Sequence, residues 1–179
     1  MKKIAIVALL SAMIATPALA DNSGKPYFAV DLGSATYTNV SPFNNPGAIR
    51  IAGGYHFSPV MAVEVGYTKF GDSKITAGSN SATLSASSFV IALAGTLPLS
   101  SQFDLTGKIG MSKNSGDATN TLGASASTSQ NSVMFGIGAQ YHVTTQTNVH
   151  VAYENYGNFD STSTPMTATA VFVGVGHDF

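Results

Sequence analysis

The sequence has 179 residues, no cysteine and a formal net charge of −1, and only 9% of its residues are charged. Zero cysteine excludes disulfides, thiolate zinc sites and cysteine nucleophiles, and so few basic residues argue against nucleic-acid binding. Because 44% of the residues are hydrophobic, the composition is not that of a disordered chain. It leaves one domain that is either a membrane β protein or a polar secreted all-β protein.

Residues 1–20 have the pattern of a cleavable signal peptide. Two lysines precede the apolar run 4–14, and the small-x-small tripeptide 18–20 follows it. The apolar run is too short to cross a bilayer as a helix, which needs about 20 residues. We therefore expect an exported protein that is cleaved after Ala20, with residues 21–179 as a single barrel domain.

The remaining chain alternates between apolar and small or polar residues with a period of two, which is typical of β-strands. Met61, Val63, Val65 and Tyr67, for example, alternate with small and polar residues. Because only helices and closed barrels satisfy every backbone group in lipid, a membrane protein with this pattern must be a barrel. The predicted strands are 27–36, 47–57, 60–70, 86–97, 102–112, 131–143, 147–156 and 166–179.

The connections between these strands alternate in length. Short connections are predicted at 58–59, 98–101 and 144–146, and long ones at 37–46, 71–85, 113–130 and 157–165. Short turns at one end and long loops at the other are typical of bacterial outer-membrane barrels, with the short turns in the periplasm. Alternating Ser and Thr in 79–88 and 124–132 also suggest that some strands continue into the loops.

A soluble lipocalin-type barrel is the main structural alternative, and it would have the opposite arrangement, with an apolar lumen. Many small residues on the polar face, and charges at comparable heights on it, favour the membrane barrel. Aromatic residues also collect where the apolar face meets the short turns, as in an interfacial girdle. The predicted girdle consists of Tyr55, Phe57, Phe103, Tyr141 and the terminal Phe179.

The C-terminal tail and the segment 51–72 carry a family resemblance. The alternate positions Val171, Val173, Val175, His177 and Phe179 end in a terminal phenylalanine, and all are apolar except His177, which stands where an aromatic residue is usual. This tail looks like the signal that outer-membrane barrels present to the barrel-assembly machinery. The segment 51–59, IAGGYHFSP, and the residues that follow it resemble the small outer-membrane β-barrel family of OmpA-type and OmpX-type domains. That resemblance implies an eight-stranded antiparallel up-and-down transmembrane β-barrel, and no peptidoglycan-binding domain is expected after it.

The predicted lumen contains a network of charged residues. Arg50, Glu64, Lys108 and Glu154 fall on the polar face within about 8 Å of height, given the rise of a tilted strand. An eight-stranded barrel leaves an interior only wide enough for side chains. We therefore expect ion pairs that plug the lumen; the alternative is a gated pore in which these pairs exchange. Asp31, Asp104 and Asp178 are also expected to point inward.

The sequence gives no support for catalysis or for a cofactor. His56 and Ser58 form the closest His-x-Ser pair, but they lie at a tight turn, and a serine nucleophile also needs an orienting acid. A metal site formed by His56, His142 and His150 is conceivable from the strand register alone. We predict neither a catalytic residue nor a metal ligand, and no cofactor.

The predicted protein is therefore a monomeric, non-enzymatic component of the Gram-negative outer membrane with an envelope-integrity or surface-interaction role. The first alternative is a narrow, porin-like ion channel, and the second is a lipid A-modifying barrel enzyme. The expected partners are outer-membrane lipid, lipopolysaccharide and the assembly machinery, with a possible surface ligand at the long loops. Lys69, Lys74 and Lys113 fall near the outer rim, where lipopolysaccharide phosphates lie.

Overall fold

The computed structural model describes residues 23–39, 45–77, 80–120 and 125–179, so the predicted signal peptide at 1–20 lies outside the described residues. Within these ranges the chain forms eight β-strands. They are β1 (Pro26–Thr38), β2 (Gly47–Ser58), β3 (Met61–Ala77), β4 (Asn80–Pro98), β5 (Phe103–Asn120), β6 (Ser125–His142), β7 (Thr147–Asn158) and β8 (Thr167–Asp178).

Each strand pairs with its sequence neighbours in an antiparallel ladder, and β1 pairs with β8 to close the barrel. The predicted eight-stranded up-and-down barrel is confirmed. Closure gives every strand a partner on both sides and leaves no open sheet edge around the middle of the barrel. The described part of the chain contains no helix long and apolar enough to cross a membrane.

The strands differ in length. The four strands β3 to β6 have 17, 19, 18 and 18 residues, whereas the other four have 12 or 13. The prediction that 71–85 and 113–130 are long loops is therefore wrong, because β3 to β6 run through most of both ranges. The strand extension that the Ser and Thr alternation suggested is confirmed. Polar side chains there do not end the strands, since the backbone ladder continues between them.

The short connections between β2 and β3, β4 and β5, and β6 and β7 lie at one end of the barrel, together with the start of β1 and the end of β8. We call this end the turn end, and the opposite end the loop end. The register shifts in β3 between Phe70 and Ser73, and in β7 between Asn155 and Asn158, both towards the loop end. Gly157 in the second irregularity has a φ of +70°, where a Cβ atom would also approach Ser132 Cβ to 2.7 Å, so this position needs glycine.

The apolar face of the barrel is the outer face. Along β8, Val171, Val173 and Val175 are 56%, 61% and 52% exposed, whereas the intervening Phe172 is completely buried. The same alternation continues around the other strands. A ring of exposed aliphatic and aromatic side chains around a closed barrel is the arrangement of a protein surrounded by lipid, and it is the reverse of a soluble lipocalin-type barrel.

Candidate functional site

The four charged residues predicted to form a lumen network lie together inside the barrel, at mid-height. Lys108 Nζ lies 2.6 Å from Glu64 Oε1 and 2.9 Å from Glu154 Oε1. Arg50 donates from Nη1 to the same oxygen of Glu154. Three ion pairs thus join side chains from β2, β3, β5 and β7, and Glu154 is the acceptor common to both cations.

A glycine on the intervening strand brings Lys108 and Glu154 into contact. In the register of the barrel, Gly136 of β6 lies directly between them. A Cβ atom at this position would lie 3.0 Å from Lys108 Cγ and 3.1 Å from Glu154 Cγ. Without a side chain on β6, the long side chains of β5 and β7 can meet across it. This role of Gly136 was not predicted from the sequence, where it is one of many small residues on the polar face.

Asp31 is also part of the network, and sequence reasoning placed it in the lumen without assigning it a partner. Its side chain is fully buried. Arg50 donates from Nε to Asp31 Oδ2 at 2.8 Å, and His150 Nε2 lies 2.6 Å from Asp31 Oδ1. Gly174 of β8 lies between Asp31 and His150 in the register, so the same arrangement occurs a second time. We call Asp31, Arg50, Glu64, Lys108 and Glu154 together the charge layer.

Two tyrosines complete the hydrogen bonding of the carboxylates. Tyr27 donates to Glu64 Oε2 at 2.7 Å, and Tyr156 donates to Glu154 Oε2 at 2.6 Å. The Tyr156 hydroxyl also lies 2.8 Å from that of Thr68. Every carboxylate oxygen of Glu64 and Glu154 therefore has a partner, which is what makes buried charges tolerable inside a protein. Neither tyrosine was identified from the sequence, because a tyrosine on the inward face reads as a simple space filler.

An aromatic cluster fills the lumen between the charge layer and the loop end. Phe70, Phe159, Phe172, Tyr156 and Met134 are completely buried, and we call these five residues the aromatic layer. The Phe70 ring centroid lies 5.3 Å from that of Tyr156 and 5.8 Å from that of Phe159, both edge-on, a favoured geometry for aromatic pairs. The alternation in the sequence predicts a small and polar inward face, so this layer was not predicted.

The two layers are in direct contact. The Arg50 guanidinium carbon lies 5.1 Å from the Phe172 ring centroid, within the range of a cation–π contact. Tyr156 belongs to the aromatic layer through its ring and to the charge layer through its hydroxyl. The closure of the lumen is therefore continuous from the charge layer into the aromatic layer.

Below the charge layer, a half-open cavity of about 590 Å³ extends towards the turn end. Its wall contains two further histidine–carboxylate pairs. His56 Nε2 lies 3.1 Å from Asp178 Oδ1, and His142 Nε2 lies 2.6 Å from Asp104 Oδ2. Arg50, Lys108 and Glu64 line the cavity as well, so solvent from the turn end can reach the lower side of the charge layer.

The three histidines do not form the metal site that the strand register alone had allowed. His56, His142 and His150 each pair with a different aspartate. Within the described ranges, no three His, Cys, Asp or Glu side chains are grouped so as to hold a metal ion. His56 lies next to the turn between β2 and β3, and the alternation of β2 points its side chain into the lumen, towards Asp178 and beside Tyr27.

The predicted girdle residues and the C-terminal tail lie at the turn end, on the outer face. Tyr55, Phe57 and Phe103 are about half exposed, at 48%, 52% and 52%, and the Tyr141 ring packs at 4.9 Å from that of Phe103. In the tail, the outward residues are the predicted Val171, Val173, Val175, His177 and Phe179. The Phe179 N–H donates to the Pro26 carbonyl at 3.1 Å, which ties the last residue to the start of β1.

Residues 5–179 match the protein-family model described as the outer membrane protein beta-barrel domain. Among curated protein sequences, none matches the chain significantly. The family resemblance that the segment 51–72 and the C-terminal tail indicated is therefore confirmed.

Several solved barrels are similar in fold. Neisserial surface protein A (NspA) has a TM-score of 0.68 at 18% identity, over 86% of this chain and 97% of NspA. Ail of Yersinia pestis, solved in complex with the heparin analogue sucrose octasulfate, has a TM-score of 0.65 at 15% identity, over 88% of this chain and 99% of Ail. The outer membrane protease OmpT of Escherichia coli has a TM-score of 0.51 at 11% identity, over 92% of this chain and all of OmpT. Since these similar folds include a protease and an attachment and invasion protein, the barrel alone does not decide between catalysis and binding.

Proposed function

The chain belongs to the family of outer-membrane protein β-barrel domains, and from that premise we propose that it is a non-conducting, non-enzymatic barrel with an envelope-integrity or surface-interaction role. The turn end faces the periplasm in this proposal, and the protein acts as a monomer. The observation that carries the proposal is the double closure of the lumen, by the charge layer and then by the aromatic layer.

Each layer excludes ions for a different reason. In the charge layer, Arg50 and Lys108 are held by carboxylates on both sides, so a passing ion would have to separate buried ion pairs. In the aromatic layer, the rings of Phe70, Phe159 and Phe172 are completely buried, and the buried polar side chains beside them, such as Thr68 and Asn114, are hydrogen-bonded to Tyr156. An ion would have to give up its water to pass, and transfer of a bare charge into a largely apolar environment is strongly unfavourable.

A surface role is supported by the extension of β3 to β6 at the loop end. These strands continue for several residues beyond their shorter neighbours, and their outward residues there are mostly hydroxyl-bearing. A paired sheet that stands above the membrane can present side chains in fixed positions to a partner, whereas a disordered loop of the same length would lose more conformational entropy on binding.

The test is single-channel recording of the refolded protein in a planar bilayer. We expect a silent wild type, and a silent Lys108→Ala variant too, because the aromatic layer stays intact when one ion pair is lost. Lys113→Ala is the matched control, since Lys113 points outward. Stable conductance steps in the wild type that change with Lys108→Ala and not with Lys113→Ala would overturn the proposal in favour of the ion-channel alternative.

The lipid A-modifying enzyme is tested separately. The histidines His56, His142 and His150 face the turn end of the lumen and pair with aspartates, whereas an acyl-transfer site needs a nucleophile within reach of its base. We expect lipid A of unchanged mass in cells that overexpress the protein. A mass shift that requires the intact protein would establish an enzymatic role and would contradict the proposal.

A further inference from the structure

Four polar side chains surround the mouth of the cavity at the turn end. His56 of β2, Asp104 of β5, His142 of β6 and Asp178 of β8 all line this cavity of about 590 Å³. They form two pairs, since His56 Nε2 lies 3.1 Å from Asp178 Oδ1 and His142 Nε2 lies 2.6 Å from Asp104 Oδ2. We call these four residues the mouth ring. The charge layer lies deeper in the lumen and shares no residue with it.

The register of the barrel places the two aspartates of the mouth ring at the same height. Successive ladder partners, followed once around the barrel from Asp104, lead to Asn114 on the same strand, a rise of 114 − 104 = 10 residues over eight strands. The three steps from β5 to β8 therefore rise by about four residues, and they end at Gly174. Since Asp178 lies four residues closer to the turn end than Gly174, it returns to the height of Asp104.

These two aspartates face each other across the mouth. Their strands, β5 and β8, are three steps apart in the closed ring of eight. With strands about 4.8 Å apart and tilted by about 40°, the Cα atoms of Asp104 and Asp178 are about 15 Å apart. Both carboxylates extend into the lumen, and a charge-assisted N–H···O bond is about 2.8 Å long. Two nitrogen atoms that each donate to one of the carboxylates would then be about 6 Å apart.

Asp104 has hydrogen-bonding capacity that the barrel leaves unused. The residue is only 3% exposed, and its Oδ2 atom accepts from Gln140 Nε2 at 2.7 Å and contacts His142. Its Oδ1 atom is buried and has no hydrogen-bond partner among the described residues. A buried acceptor without a partner is costly. Because Asp104 lines the cavity, a donor in the cavity can complete its hydrogen bonding after a small rotation of the carboxyl group.

The lumen also holds more carboxylates than permanent cations. The charge layer has two cations and three carboxylates, 2 − 3 = −1. With uncharged histidines, the two aspartates of the mouth ring bring the formal charge of the lumen to −1 − 2 = −3. Lys25 precedes β1 at the same end, and within the described ranges it forms no ion pair with Asp104 or Asp178. A cleft whose walls carry an excess of one charge concentrates ions of the opposite sign, so this cavity favours cations.

We propose that the mouth ring binds a linear aliphatic diamine in its doubly protonated form. One ammonium group donates to Asp104 and the other to Asp178, and a chain of four or five carbons spans the distance between them. The methylene groups meet the small apolar side chains of Ala62 and Ala94 in the cavity wall. In the proposed function the turn end faces the periplasm, so the ligand enters from that side, but binding itself does not depend on this orientation.

An NMR titration of the refolded barrel with 1,4-diaminobutane, in uncharged detergent at constant pH and low ionic strength, tests this site. We expect the imidazole signals of His56 and His142 to shift together with a single affinity. Asp104→Asn and Asp178→Asn should each weaken binding by about ten-fold or more, because each removes one charge-assisted hydrogen bond. Asp160→Asn removes the same charge at the loop end and is the matched control, so it should bind like the wild type.

Two analogues of the ligand identify what the wild type recognises. Butylamine has one ammonium group, and the bis-trimethylammonium analogue of the diamine keeps both charges but has no N–H donor. Both should bind about ten-fold more weakly than 1,4-diaminobutane, since each lacks hydrogen bonds that the diamine forms. Equal affinity for either analogue or for Ca²⁺ would overturn the proposal, because the cavity would then attract positive charge without recognising a diamine.

The remaining outcomes are also decisive. Histidine signals that do not respond to 1,4-diaminobutane, or aspartate variants that bind it like the wild type, would contradict the proposal. Far-UV circular dichroism verifies that the variants are folded, and the comparison of ligands on the wild type needs no variant. The binding result is independent of conductance, so a conducting wild type would refute the lumen plug without affecting the diamine site.

Discussion

Replacing Arg50 by methionine should destabilise the barrel more than any other single change in the charge layer. The layer contains two permanent cations, Arg50 and Lys108, and three carboxylates, Asp31, Glu64 and Glu154, so its formal charge is 2 − 3 = −1. Without Arg50 the formal charge becomes 1 − 3 = −2. Removal of one member of a buried ion pair typically costs about 3–5 kcal/mol, because it leaves an uncompensated buried charge.

In the Arg50→Met variant, Asp31 is the carboxylate that loses the most charge compensation. Its side chain is fully buried, and among the described residues Arg50 is its only permanently charged ion-pair partner; its other ion-pair contact is with His150. The loss of the cation–π contact between Arg50 and Phe172 adds to the effect. We therefore place the Arg50→Met variant at the upper part of the range of about 3–5 kcal/mol.

Lys108→Met is the matched control, because it removes the same charge from the same layer. Its partners keep other donors: Glu64 retains Tyr27, and Glu154 retains Arg50 and Tyr156. The Lys108 side chain also lies on the wall of the turn-end cavity and is 12% exposed, so water can solvate the carboxylates after its removal. We expect a smaller loss, about 1.5–3 kcal/mol, which is typical of a lost hydrogen bond to a charged group.

Urea unfolding in lipid vesicles, followed by far-UV circular dichroism, measures these differences; the chain has no tryptophan for fluorescence. The double variant Arg50→Met/Asp31→Asn returns the formal charge of the layer to −1 and should recover part of the stability lost in Arg50→Met, as coupled neighbours do. The reasoning would be refuted if Lys108→Met were the less stable single variant, or if Asp31→Asn lowered the stability of the Arg50→Met background further.

Three more predictions concern other parts of the barrel. Gly174→Ala would place a Cβ atom 2.6 Å from a carbonyl oxygen of β1 and should destabilise the protein by about 1–3 kcal/mol. Gly107→Ala, whose Cβ atom would have its nearest neighbour at 3.9 Å, should be tolerated. Urea midpoints of the two variants that agree within error would contradict this prediction. Phe70→Ala removes a completely buried ring and should cost about 3–5 kcal/mol, measured by the same unfolding experiment. A hydrogen bond from the Thr162 hydroxyl, with further backbone donors, lowers the pKa of Asp160. The ionised Asp160 should therefore stabilise the connection between β7 and β8 above the ordinary aspartate pKa. This stabilisation should disappear as the pH falls through the lowered pKa of Asp160. A carboxyl-carbon NMR titration checks this, and Asp160→Asn should abolish the pH dependence of the local amide signals.

The fold could be predicted from the sequence because lipid and lumen impose opposite chemistry on alternate residues. In β8, Val171, Val173 and Val175 alternate with Phe172, Gly174 and Gly176, so the two faces of the strand can be distinguished without knowledge of any neighbour. The ranges 71–85 and 113–130 were misjudged for a related reason. Once a strand leaves the membrane, both faces become polar, so composition no longer distinguishes a strand from a loop, whereas the backbone ladder continues regardless of the side chains.

The inward position of the four charged residues could also be predicted, but their individual partners could not. Whether Lys108 reaches Glu154 depends on the register of three strands and on the glycine at position 136 between them. Asp31 was recognised as inward, but its pairing with Arg50 needs the register of β1 against β2. A useful signal was present, since an inward glycine in register between two long charged residues indicates where they meet.

The order of the layers along the lumen explains how so many charges can be buried in a small barrel. The cavity at the turn end gives water access to one side of Arg50, Lys108 and Glu64, so these groups are not fully removed from solvent. The aromatic layer excludes water from the other side, where the ion pairs and the hydroxyl of Tyr156 satisfy the charges. An ion that enters from the turn end can therefore reach the charge layer without reaching the loop end. Conductance should consequently require loss of both layers, which predicts that neither Lys108→Ala nor Phe70→Ala alone opens the barrel.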